Sequence, residues 1–209
     1  MKTWSAAIQD GLRTGAAARL IADGGLDYAG AKRKAARQLL GESSAAARSS
    51  MPDNDSIDAA LLEHLNLFDE DHADRVDRRR RVAAALMAEL ADFRPYLTGA
   101  VWKGIVAEHA PIHLQLFHDN PKDVEIHLLN RQLRFDVETT PHFRSREEVE
   151  AILLWWRNEP VMLSLYGVDD LRGALRSGAA GAERGDLSAL QARIEEAAGA
   201  GAAGDGGMQ

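Results

Sequence analysis

The chain of 209 residues contains no cysteine. Disulfides, thiolate metal sites and a cysteine nucleophile are therefore excluded, and the composition suits a reducing compartment. No run approaches the roughly 20 apolar residues of a membrane span. No long apolar stretch follows Lys2, so no signal peptide is read at the N-terminus and the expected location is cytoplasmic. Basic charge is in deficit: 25 Lys and Arg against 32 Asp and Glu leave a net charge of −7. Such a chain is repelled by nucleic acid unless a local basic patch compensates. A Gly-rich loop ending in Lys and Ser or Thr is missing, and with it the phosphate loop of an ATP-dependent ligase. No internal repeat is visible.

What is present is ordinary for a soluble globular protein: 45% hydrophobic and 27% charged residues, enough for one good core plus extensions. Trp4, Ile8, Leu12, Ala16 and Leu20 recur every four residues and predict a helix over 4–22, ended by Gly24-Gly25. Asp27 caps a second helix over 28–40 that carries Lys32, Arg33, Lys34 and Arg37. These form an N-terminal helical segment, 1–42, and a Ser-, Ala- and Pro-containing linker follows over 43–54. A helix from Asp55 to Phe68 sets Ile57, Leu61, His64, Leu65 and Phe68 on one face, and a helix over 73–93 turns Val76, Ala83, Leu86, Leu90 and Phe93 inward. Period-2 patterning predicts strands over 111–117 and 133–138 and a hairpin of 148–156 with 160–166. Asn120-Pro121 starts a helix to about 130, and Asp169 caps a short one to about 176. The fold class is α+β: a helical N-terminal part, then a mixed β-sheet with flanking helices in a domain over 55–176. Residues 177–209 are Gly- and Ala-rich without aromatics and predict a flexible tail, compatible with a short helix over 186–197.

The most informative stretch is 96–117. Gly99-Ala100 makes a tight turn, Gly104 allows a second bend, and Ile112, Leu114 and Leu116 alternate with His113, Gln115 and Phe117. This outline resembles the nucleotidyltransferase superfamily, which includes DNA polymerase beta and the minimal nucleotidyltransferases. Its signature is Gly-Ser, a second Gly four residues after the Ser, six residues, then Asp-x-Asp on a strand. Gly99 stands at the Gly, Ala100 at the Ser and Gly104 at the second Gly, while Pro111 and His113 fall on the two Asp positions. The family's third carboxylate belongs to a later strand, read at 160–166, where Met162 and Ser164 share a face. The chain is also similar to a proteobacterial group of unassigned activity that carries the Lys-Asp-Val-Glu-Ile and Leu-Thr-Gly-Ala-Val-Trp segments. In the superfamily the acids hold Mg²⁺ against the triphosphate. Proline offers no ligand and neutral histidine suits transition metals better than Mg²⁺, so Mg²⁺ is not expected at the usual position.

The resemblance implies a degenerate member that binds a nucleotide or phosphate group without transfer, through Gly99, Ala100, Lys103, Gly104 and His113. The bland reading of the glycines is an inherited tight turn, and that of Lys103 a solvated lysine. One alternative is an active enzyme with relocated acids, for which Asp136 and Glu138, two apart on one strand, are the candidates; such pairs more often form a solvated face. A histidine–metal variant would draw on His109 and His113, near His118, His127 and His142, but the spacing matches no zinc pattern. The other alternative is a protein-interaction module with a vestigial cleft. Polarity around Gly99 separates the readings: an open cleft with Lys103 and His113 favours binding, and one filled by Trp102, Met162 and Tyr166 favours the module. Asp169-Asp170 reads as a helix cap and His64 as a core histidine. Lys32–Arg37 and Arg78–Arg81 are local basic clusters, but nucleic acid is not expected as a partner against the acidic balance. Trp155 and Trp156 are adjacent on a strand, so one of them faces outward.

Overall fold

The computed structural model describes residues 14–18, 21, 34, 54–145, 147–174 and 183–204. The basic helix expected over 28–40 (Lys34 excepted), most of that over 4–22 and nearly all of the linker over 43–54 lie outside them. From Asn54 onward the elements are α1 (Asn54–Phe68), α2 (His72–Glu89), a 3-10 turn (Ala91–Phe93), β1 (Pro95–Thr98), α3 (Gly99–Lys103), β2 (Ile112–Phe117), α4 (Pro121–Asn130), β3 (Phe135–Pro141), β4 (Glu148–Trp156), β5 (Glu159–Tyr166), a 3-10 turn (Val168–Asp170), α5 (Leu171–Ala174), β6 (Arg184–Gly185) and α6 (Leu187–Gly204). The fold is thus mixed α and β, with helices on the N-terminal side and flanking the sheet. No helix of the described residues is long and apolar enough to cross a membrane.

Two compact units form. Met1–Arg75 groups with Ile105–Ala110, and Val76–Gly104 groups with Pro111–Gln209. The first unit keeps 105–110 through side chains of α2. Arg75 Nε donates to the Val106 carbonyl at 3.1 Å, and the Val106 N–H donates to His72 Nε2 at 3.3 Å. Because Nε2 accepts, the His72 proton sits on Nδ1, 3.2 Å from Asn66 Oδ1. Burial, and then the Arg75 charge, lower the pKa of His72 and favour this neutral form. Ala18, Leu61, Leu65 and Ile105 make the unit's core. Phe68 is not part of it: at the end of α1 it is 74% exposed, and His64 stacks on it with ring centroids 4.8 Å apart.

The second unit is built on a six-stranded sheet of order β3-β4-β5-β2-β1-β6. Only β2 and β5 pair in parallel; the chain needs α4 and the β3–β4 hairpin to return in the same direction. The expected strand 111–117 lies beside 160–166, but not beside 133–138, since β4 and β5 intervene. The β4–β5 turn is Arg157-Asn158, both left-handed at φ 50 and 64, the two-residue geometry whose twist matches a hairpin. Asn120 opens α4 as its sequence suggests: its side chain accepts the Lys122 N–H at 3.2 Å, with Pro121 at the first helical position.

One sheet face is the core. Leu97, Ile112, Leu114, Leu116, Ile152, Leu154, Val161, Leu163 and Leu165 alternate onto it and are all buried. Such a face needs an apolar cover, and the buried Val82, Ala83, Leu86, Met87 and Leu90 of α2 with Val124 and Leu128 of α4 supply it. Each fully buried aliphatic side chain stabilises by about 1.5–3 kcal/mol.

The tail expectation is corrected over 183–204. β6 pairs with β1, and α6 follows, capped by Asp186, whose carboxylate accepts the Ala189 N–H at 2.8 Å. Composition argued against order because Gly and Ala bury little area. A few specific contacts reverse that balance. Leu190 is fully buried, Arg193 lies 3.7 Å over the Trp102 ring, and Arg193 Nη1 donates to the Trp102 carbonyl at 2.9 Å.

Candidate functional site

The second sheet face carries the polar residues. Since side chains alternate along a strand, the β2–β5 register sets His113, Gln115 and Phe117 beside Met162, Ser164 and Tyr166. β1 adds Tyr96 opposite Gln115 and Thr98 opposite His113, and β6 adds Arg184 opposite Thr98. Gly99 follows at once, with φ +70. Space is not what demands glycine there: an added Cβ would lie an ordinary 3.5 Å from His113 Nδ1. The left-handed backbone demands it. Between Gly99 and Gly104 the expected bare turn is the short helix α3, with Ala100 in its first turn and Lys103 exposed in its last.

Gly104 ends the helix. It is the left-handed cap at φ 76, its N–H returns to the Ala100 carbonyl, and an added Cβ would meet Arg80 Nη2 at 3.0 Å. Arg80 also donates to the Val101 and Trp102 carbonyls, both at 3.3 Å, satisfying the acceptors a helix end leaves open. The rest of the Arg78–Arg81 cluster is committed as well. Arg78 and Arg79 grip the buried Glu159 at 2.8 and 2.6 Å, and Arg81 pairs with Asp77. Burial alone would raise the Glu159 pKa, but these hydrogen bonds and charges outweigh it and the carboxylate is held below its ordinary range. Arg78 and Arg79 thus clamp α2 to the β4–β5 hairpin.

His113 is half-buried, and burial lowers its pKa, so the imidazole is neutral near pH 7. Beyond it, Gln115 Oε1 accepts from Arg184 Nη1, and polar Ser164 and Gln115 act on the Tyr166 hydroxyl to lower its pKa. Burial outweighs them and pushes the Tyr166 phenol up, so it stays neutral. The Arg184 guanidinium carbon is 4.7 Å from the Phe143 ring centre. Phe117 stacks on Tyr166 with centroids 5.6 Å apart, and Phe143 meets Tyr166 edge to face at 5.0 Å. His142 fixes the loop that carries Phe143. Its Nδ1 accepts the Arg144 and Ser145 N–H groups at 3.0 and 3.1 Å, so Nε2 bears the proton and faces Asp170 at 3.3 Å.

The face is therefore divided. Around Tyr166 it is filled by aromatic rings, whereas around His113 it is less covered: Met162 and Leu153 are half-buried and Trp155 is 70% exposed. Trp155 is the outward member of its pair, and Trp156 is half-buried on the opposite face. Trp102, expected as a possible filler, belongs to the other side of β1, against Gly185 and Arg193.

Other candidates are not brought to His113. Asp136 and Glu138 are exposed on the edge strand β3, opposite Leu153 and Ala151. At about 4.8 Å per strand, three strands place them roughly 14 Å from β2. His109 is exposed in the first unit. Among the described residues no three His, Asp or Glu side chains gather to hold a metal ion. The donors on the face do not fit Mg²⁺, which takes hard oxygen ligands and usually carboxylates: they are an imidazole, a thioether, a hydroxyl and an amide, next to a guanidinium that repels a cation. Sequence reasoning missed Arg184, Gln115 and Tyr166 as members of one cluster. The only local signal was Asp186, a helix cap inside an otherwise featureless segment. Compared with known proteins, the chain matches no family model, no curated protein and no solved structure.

Proposed function

We propose that this protein is a degenerate nucleotidyltransferase-like domain that binds a phosphate-bearing ligand, a nucleotide being the one its sequence resemblance implies, and does not transfer a nucleotidyl group. One observation carries the reading. The parallel β2–β5 pair sets His113 beside Met162 and Gln115 beside Ser164 next to the Gly99 turn, so the strands where the superfamily needs three acids offer none. What supports retained binding is the neutral His113 and the cation Arg184 on that same face, with Lys103 exposed nearby in sequence. Two-metal transfer depends on carboxylates to fix the ions; without them binding outlasts chemistry.

A second reading, a protein-interaction module, draws support from Trp155, because an exposed Trp beside half-buried Leu153 and Met162 is typical of an interface. A thermal-shift panel of ATP, GTP, CTP and UTP tests the two. A ligand at 100 times its dissociation constant stabilises by about 2.7 kcal/mol, and labelled nucleotides report transfer in the same samples. Binding without transfer is expected. Transfer that is lost on Asp136→Ala or Glu138→Ala would establish the relocated-acid enzyme instead. Absence of any nucleotide binding would favour the module.

A further inference from the structure

Arg184 stands out among the charged groups of the second unit. Its side chain is 8% exposed, yet among the described residues no carboxylate pairs with it closely. Nη1 bonds to the amide oxygen of Gln115, a neutral partner, and Nη2 is 3.5 Å from Glu183, a carboxylate that is itself 69% exposed. Nε meets no acceptor among the described residues. The remaining contact is with the face of Phe143. A buried cation is costly unless an anion pairs with it, and the other deeply buried arginine of this unit, Arg79, has Glu159 for that purpose. A guanidinium is also planar and forked, the geometry that recognises phosphate oxygens in pairs.

We infer that Arg184, held against Gln115 at the border between the aromatic and the less covered half of the face, is the built-in cation of a metal-independent oxyanion site whose ligand is a phosphate group. The inference rests on the proposed binding function and deepens it, since it says what holds the phosphate where no metal can. Lysine and arginine side chains supply positive charge permanently, whereas a metal must be recruited by acids. The loss of acids from β2 and β5 and the arrival of Arg184 from β6 are then one exchange: a fixed guanidinium in place of a coordinated ion. His113, one residue pair away on β2 and neutral, offers the phosphate a hydrogen bond without competing for charge.

The test uses the full chain in EDTA, with inorganic phosphate and ATP titrated separately by calorimetry. The native protein is expected to bind both, with affinity that falls as NaCl rises. Arg184→Gln is expected to weaken both by about tenfold or more. Gln115→Glu is the second variant. It gives Arg184 an internal carboxylate, so it is expected to keep or raise the melting temperature while abolishing phosphate binding. A role of Arg184 in anchoring β6 alone predicts the same gain in stability with unchanged phosphate binding. Native-like phosphate affinity in Gln115→Glu overturns the proposal whether or not Arg184→Gln folds. If ATP still binds both variants at native affinity, this inference fails and the proposed function survives. If the native protein binds neither phosphate nor ATP, both fail.

Discussion

Replacing Gly185 by alanine isolates the docking of the C-terminal segment, because the obstacle is steric and the backbone is not at issue. The φ of Gly185 is outside the left-handed region. A Cβ built there lies 2.2, 2.4 and 2.9 Å from three carbon atoms of the Trp102 ring, where carbon contacts settle at about 3.5–4.0 Å. The ring must therefore retreat by more than about 1 Å, taking that contact distance as the limit. It has little room to do so, being 3% exposed and covered by the Arg193 guanidinium at 3.7 Å. Overpacking of this kind costs about 1–3 kcal/mol, and the size of the overlap places Gly185→Ala in the upper half of that range. For a chain of this length each kcal/mol lowers the melting temperature by about 2–4 °C, so a fall of about 4–12 °C is expected. A double-mutant cycle with Trp102→Ala gives the cause: with the ring gone, Gly185→Ala should cost much less. A neutral Gly185→Ala, or equal costs in the two backgrounds, would refute the docking of β6 against Trp102.

Further outcomes follow from the same geometry. Glu159→Gln removes the buried carboxylate that Arg78 and Arg79 share and is expected to cost about 3–5 kcal/mol in chemical denaturation, the usual penalty for breaking a buried pair from one side. The pH dependence has two windows. His113 and His72 have folded pKa values lowered from 6.5, so their contribution to stability is present above 6.5 and is lost as the pH falls below it. Glu159 is depressed below 4.5, so its contribution is present above 4.5 and is lost as the pH falls through the folded value. Urea midpoints should thus decline first below pH 6.5, and His113→Phe should flatten part of that first decline; an unchanged profile would contradict the burial of the imidazole. Lys103→Ala is expected to weaken phosphate binding less than Arg184→Gln, because an exposed ammonium is screened by water and salt. Removing everything after Gly181 should lower the melting temperature by several degrees, since it uncovers Trp102; no change would show that α6 adds nothing to the fold.

Local patterning made much of the fold legible. Ile112, Leu114 and Leu116 announce a strand with one buried face, and Asn120-Pro121 announces the helix after it, because these signals depend only on neighbours along the chain. Sheet order does not. Nothing in 133–138 says that it pairs with 148–156 at the edge instead of with 112–117 at the centre. The arginines were opaque for a related reason: Arg78–Arg81 reads as a solvated basic face until Glu159, some eighty residues later in the chain, is seen to fold back onto it. Arg184 is the extreme case. It sits among Gly and Ala, where composition argues for disorder, and its meaning comes wholly from partners on other strands, Gln115 and Phe143. Gly104 shows its left-handed backbone as a helix cap with Arg80 packed against it, a tertiary contact that a glycine in the sequence does not announce.

The central claim is that phosphate is held here by fixed protein cations and not by a metal. Calorimetric titration of ATP into the full chain, once in EDTA and once in Mg²⁺ at matched ionic strength, measures this directly. The account predicts that Mg²⁺ does not tighten binding and that no pyrophosphate appears. Binding that appears only with Mg²⁺, or tightens about tenfold with it, would contradict the account.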